Sequence, residues 1–217
     1  TYLEREISTF APRLPRESLG RFWTMLAHEQ GAEFNAARLA AGLGVSAQTV
    51  SRYLDLLVDL MLVRRLPAWF ENVGKRLRKS PRTYLRDSGI VHALLGIDTL
   101  DALLGHPVCG GSWEGFVLEN VIAAADPAWQ PYWYRTSAGA EIDLLLIGRE
   151  RIAIEVKRST APAVSKGFHN ACDDVGAHRR WVIYPGRDSY PGPNGVQVLT
   201  LTDAMTQLAG AASDRRI

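Results

Sequence analysis

Glu141-Ile142-Asp143-Leu144-Leu145-Leu146-Ile147-Gly148-Arg149-Glu150-Arg151-Ile152-Ala153-Ile154-Glu155-Val156-Lys157 holds two apolar runs around one glycine-led break. Each run has the length and composition of a strand. If Gly148-Arg149-Glu150 is a three-residue hairpin loop, a common length, Ile147 faces Arg151. Leu146 then faces Ile152, Leu144 faces Ile154 and Ile142 faces Val156. Side chains alternate between sheet faces, so a one-residue slip would exchange every facing pair. The slipped register sets Leu144 against Glu155 and Ile142 against Lys157, placing charge against aliphatic side chains at a cost. The apolar pattern therefore selects the first register, with Asp143 opposite Glu155 and Glu141 opposite Lys157.

Two carboxylates on neighbouring strands lie about 5 Å apart and repel. A divalent cation removes that repulsion. Mg2+ or Mn2+ takes oxygen ligands, often one or two carboxylates completed by water and substrate phosphate. A nearby lysine can orient or deprotonate an attacking water and stabilise developing negative charge. Asp143, Glu155 and Lys157 thus have the composition of a phosphodiester-hydrolysing centre. The same spacing also suits a surface ion network in which Lys157 only neutralises the acids, and Glu-x-Lys is common on strands.

Working outward, a helix is expected over Trp113–Ala125 and a strand over Tyr132–Arg135. A helix near Lys166–Asp174, strands over Trp181–Tyr184 and Val196–Leu201, and a helix over Asp203–Leu208 follow. Strands interleaved with helices predict an α/β domain. Asp87–Leu104 reads as helical. The breaker-rich Gly105-His106-Pro107-Val108-Cys109-Gly110-Gly111 sets the expected domain boundary, giving residues 1–104 and 105–217.

Nearer the start, Phe22, Met25, Leu26 and Glu29 fall at helical spacing, with Trp23 beside them. Asn35 can cap a helix over Ala36–Ala41, and Gly42-Leu43-Gly44-Val45 can turn the chain. Ser46 can cap a second helix over Ala47–Leu60, with Val50, Tyr53, Leu54, Leu57 and Met61 as its apolar face. Helix, glycine turn and Ser-capped helix predict a helix-turn-helix. Gln48, Thr49, Ser51 and Arg52 then stand on the exposed face, suited to a DNA groove. Leu62–Leu66 and Thr83–Leu85 would be paired strands, with the basic 64–82 segment a long wing. Arg64, Arg65, Lys75, Arg76, Arg78, Lys79, Arg82 and Arg86 face only Glu71 before Asp87. Such a stripe suits phosphate contact or, equally, a solvated face; Arg64, Lys75, Arg76, Arg78 and Lys79 are the candidate nucleic-acid contacts.

The 217 residues carry a net charge of only +2, with 47% apolar and 22% charged residues. That composition supports one large domain or two small ones and argues against extended disorder. Cys109 and Cys172 stand far apart without a partner motif, so neither a disulfide scaffold nor a zinc site is expected. The five histidines have no ligand spacing. No apolar run reaches a membrane span, and cytoplasm is the simplest location. Thr1 is not a natural start, which points to a missing upstream segment.

Glu114, Asp143 and Glu155-Val156-Lys157 resemble the PD-(D/E)xK nuclease superfamily, with Ile142-Asp143 in place of the usual Pro-Asp. The resemblance implies a restriction-endonuclease-like α/β core. It implies Lys157, Glu155, Asp143 and Glu114 as catalytic residues, and Asp143, Glu155 and Glu114 as metal ligands. Glu119 is the alternative helix acid.

Longer stretches are similar to the C-terminal region of bacterial and archaeal AAA-superfamily predicted ATPases, classed as a domain of unknown function of the 4143 type. They include Thr1-Tyr2-Leu3-Glu4-Arg5-Glu6-Ile7, Leu43–Val50, Lys79–Gly89, Trp113–Val117, Tyr134–Thr136, Gly139–Asp143 and Ile154–Lys157. This resemblance implies an upstream ATPase module, and ATP only through it, since no Gly-x-x-x-x-Gly-Lys-Ser/Thr run occurs here.

The expected fold is α/β (α+β): a helical winged helix-turn-helix followed by the nuclease-like domain. The expected function is DNA binding, with DNA and the chain's own N-terminal ATPase module as partners, no membrane, and self-association open. The alternatives are a Mg2+-dependent DNA endonuclease and a protein-interaction module using Trp69-Phe70.

Overall fold

The computed structural model describes residues 16–70 and 77–213. It is a mixed α/β protein whose contacts form two compact units. Among the described residues, one unit comprises 16–65 and 83–115; the other comprises 66–70, 77–82 and 116–213.

In the first unit, α1 (Arg16–His28), α2 (Ala36–Leu43) and α3 (Ala47–Asp59) precede a two-stranded sheet of β1 (Val63–Leu66) and β2 (Arg82–Leu85), whose end residues Leu66 and Arg82 are assigned to the second unit. α4 (Ser88–Leu94) and α5 (Leu100–Gly105) follow. Leu19, Phe22, Trp23 and Leu26 recur at helical spacing on α1 and meet Val50, Tyr53, Leu54 and Leu57 of α3 in one core. Each such buried side chain contributes about 1.5–3 kcal/mol. Asn35 caps α2 by accepting from Arg38 N, and Ser46 caps α3 by accepting from Thr49 N. Gly44 ends α2 at φ 67°, a left-handed turn that glycine adopts without steric cost.

Met61 departs from expectation: it is 70% exposed rather than on the apolar face. α3 ends at Asp59, and the chain reverses toward β1 with Met61 at φ 59°, which breaks the helical periodicity. The glycines at 110 and 111 also do not break the chain. They lie in α6 (Cys109–Ala124). A Cβ on Gly111 would stand 2.5 Å from the Gln30 carbonyl oxygen, so glycine permits that close approach. The division between units falls inside this helix, at Gly115/Phe116.

The second unit is built on a six-stranded sheet in the order β3-β4-β5-β6-β8-β7. β3 (Gln130–Arg135), β4 (Glu141–Ile147) and β5 (Arg151–Val156) form an antiparallel meander. α7 (Lys166–Asp174) leads to β6 (Arg179–Ile183), parallel to β5. The short β7 (Tyr190–Pro191) runs antiparallel to β8 (Val196–Leu199), and α8 (Leu201–Ser213) follows. Phe168, Ala171 and Cys172 of α7 share a core with Leu145, Ala153 and Val182. Burial beside these apolar groups pushes the Cys172 thiol up to about 12.

The described parts of the segment expected to form a long wing, on either side of residues 71–76, are tied to β3 and its end. Ala68 bridges to Trp133 and Leu77 to Thr136, while Trp69 N donates to Trp133 O at 2.6 Å and Arg78 N to Arg135 O at 3.0 Å. Trp69 and Leu77 pack against the second unit's core. An edge strand exposes unpaired N–H and C=O groups, and these flanking segments cover those of β3. Phe70 is 60% exposed, whereas Trp69 packs edge-on against Tyr132.

Candidate functional site

The β4–β5 ladder has the register expected from the apolar pattern: Leu144 opposite Ile154, Leu146 opposite Ile152, Ile147 opposite Arg151. The expected ladder pairs beyond Leu144 are replaced. β3 pairs Tyr132 with Leu145 but Tyr134 with Ile142, so Asp143 and Leu144 together oppose Trp133. This one-residue bulge reverses the alternation, as bulges do. Ile142 consequently joins the face of Leu145 and Ala153. At the bulge, Asp143 Oδ2 accepts from Val156 N at 2.9 Å, which brings its carboxylate to the residue between Glu155 and Lys157.

Glu155 is 8% exposed. Its Oε1 pairs with Lys157 Nζ at 2.6 Å and accepts from Ser165 Oγ at 3.2 Å. Ser165 also caps α7 by accepting from Phe168 N. Glu155 Oε2 is buried with no hydrogen-bond partner. The pairing of Glu141 with Lys157 is not what forms: Glu141 pairs with Arg82 and, at 3.4 Å, with Arg135 Nε. Arg82 Nη1 stands 3.5 Å from Asp143 Oδ1, and its guanidinium carbon lies 4.4 Å from the centre of the Trp133 ring.

The sequence placed Arg82 in a solvent-facing stripe; here its side chain is only 9% exposed. It lies 59 residues from Glu141, and no local pattern links them. Ser165 was likewise missed; its place directly before the expected helix at Lys166 is the signal that could have found it.

The residues do not fit a divalent metal as their side chains stand. Asp143 is engaged by Val156 N and Arg82, and one oxygen of Glu155 by Lys157 and Ser165. The carboxylates of Glu141, Asp143 and Glu155 are matched by the cations of Arg82, Arg135 and Lys157. Among the described residues no three His, Cys, Asp or Glu side chains are grouped to hold a metal ion. Glu114 belongs to the first unit, where it accepts from Tyr84 Oη at 2.5 Å. Glu119 belongs to the second unit and is half-buried. An open cleft of about 660 Å³ lies between the Thr136–Ala140 turn and α7, and neither Asp143, Glu155 nor Lys157 lines it.

On α3, Gln48 and Arg52 are exposed. Thr49 and Ser51 are half-buried, with Ser51 Oγ donating to Ala47 O at 3.1 Å and Thr49 Oγ1 beside Ser46 Oγ at 2.9 Å. Arg64 is half-buried in the same unit. Arg78 and Lys79 are exposed but belong to the second unit; Lys75 and Arg76 lie outside the described residues.

Residues 109–204 match the family model described as domain of unknown function (DUF4143). Residues 1–101 match a second, domain of unknown function (DUF8612). The chain is similar to the uncharacterized proteins Mb2031c of Mycobacterium bovis and Rv2008c of Mycobacterium tuberculosis. Each is 45% identical over 193 residues, covering 88% of this chain and 43% of the relative. The chain therefore spans less than half the length of these curated relatives. No solved structure matches. No helix among the described residues is long and apolar enough to cross a membrane.

Proposed function

We propose that this chain is the DNA-binding part of a longer AAA-type ATPase, combining a winged helix with a PD-(D/E)xK-type domain. The observation carrying this reading is α3. One face is buried through Val50, Tyr53, Leu54 and Leu57, and the other exposes Gln48 and Arg52 behind a Ser46 cap. A helix held from behind and bearing an amide and a guanidinium in front can read base edges and phosphates. The acidic residue nearest Arg52 on this helix, Asp55, is paired with Arg65, which reduces its repulsion of a polyanion. The greater length of the relatives leaves room for an ATPase module.

Fluorescence anisotropy with duplex DNA tests this. Binding that weakens steeply with salt is expected, and Arg52→Ala should reduce the slope of log K against log salt by about 1 if it contacts a phosphate. Absence of binding at low salt refutes the proposal. The nuclease alternative is favoured only by the unpartnered Glu155 Oε2. It ranks second because the remaining acid oxygens already have cationic or backbone partners.

A further inference from the structure

We infer that Arg82 is a built-in cation of the acidic centre, standing where a divalent metal would neutralise Asp143 and Glu141. Four observations support this. The Arg82 side chain is only 9% exposed, and it pairs with two carboxylates from the same strand. Its guanidinium is stacked on buried Trp133, the residue facing the β4 bulge. Nearby in the chain, Ala68 bridges to Trp133 of β3 and Arg78 N donates to Arg135 O of the same strand. A buried guanidinium is always charged and presents a fixed planar fork, so it neutralises carboxylates without depending on a soluble ion. Holding two half-buried carboxylates beside it is tolerated because both are paired; removing the arginine leaves their charge only partly compensated, which recruits an available cation.

Arg82 therefore sets the ion preference of the centre: with it the site excludes divalent cations, and without it the site takes them. This inference is independent of the DNA-binding proposal, since it concerns only ion occupancy.

The test is Mn2+ binding to the full chain, followed by electron paramagnetic resonance of free Mn2+. The wild-type protein should show no saturable site at millimolar Mn2+. Arg82→Met should acquire one that saturates at about a tenth of that concentration or less. The site should vanish in Arg82→Met/Asp143→Asn. Failure of Arg82→Met to gain a site, or equal binding by wild type, overturns the inference. Because Arg82→Met can compromise folding, the wild-type protein supplies a second measurement. The Val156 amide and Trp133 indole resonances should resist paramagnetic broadening by Mn2+. Selective broadening of these two signals equally overturns it.

Discussion

Gln30 offers the sharpest test of how the first unit is held together. Its side chain is 9% exposed, and its amide is used at both ends: Nε2 donates to Leu85 O at 3.0 Å, and Oε1 accepts from Leu85 N at 2.8 Å. It thus serves the free edge of β2 as a short stretch of neighbouring strand. Backbone bonds from Gly31 N to Thr83 O and from Thr83 N to Ala32 O continue the pairing. Gln30→Ala removes two hydrogen bonds, each worth about 1 kcal/mol net, and leaves two buried backbone groups unsatisfied at about 1–3 kcal/mol each. Recovered side-chain freedom offsets up to about 2 kcal/mol. The vacated space beside Gly115 can admit water, which favours the lower part of the range.

The expected cost is about 2–4 kcal/mol. Amide hydrogen exchange reads this locally without assuming that the two units unfold together. The Leu85 amide should exchange about thirty- to several-hundred-fold faster in Gln30→Ala, since about 1.4 kcal/mol is tenfold. Gln30→Glu should be as damaging near neutrality, because a carboxylate oxygen would face the Leu85 carbonyl. Acid should partly restore it, since the protonated group can donate. A Leu85 amide exchanging in Gln30→Ala at the wild-type rate would refute the reasoning.

Burial, reinforced by its hydrogen bond to Asp174, raises the Tyr134 phenol above its ordinary range. The associated stability is fully present below the unfolded value near 10 and is lost progressively as pH rises from there through the higher folded value. The ultraviolet difference titration between wild type and Tyr134→Phe should place this ionisation above that of ordinary tyrosines; ionisation near 10 would contradict it. Gly148→Ala puts a Cβ 2.9 Å from the buried Trp129 ring and should lower the thermal stability of the second unit by about 1–3 kcal/mol, whereas an unchanged melting curve would show that the turn yields freely.

Local rules determined much of this protein. Asn35, Gly44 and Ser46 announced two helices and the turn between them, because capping and left-handed backbone are settled by neighbours in the chain. The pairing of Leu144 with Ile154 and Leu146 with Ile152 followed from alternation, because a slip would have set charge against aliphatic groups. Tertiary structure decided the rest. Alternation assumes an unbroken ladder, so it could not anticipate the bulge at Asp143 and Leu144, where β3 is one residue short. Nor does a run of basic residues reveal which of them leaves solvent. Arg82 is buried because carboxylates distant in the chain, and the face of Trp133, compensate its desolvation. That compensation exists only once the sheet has assembled.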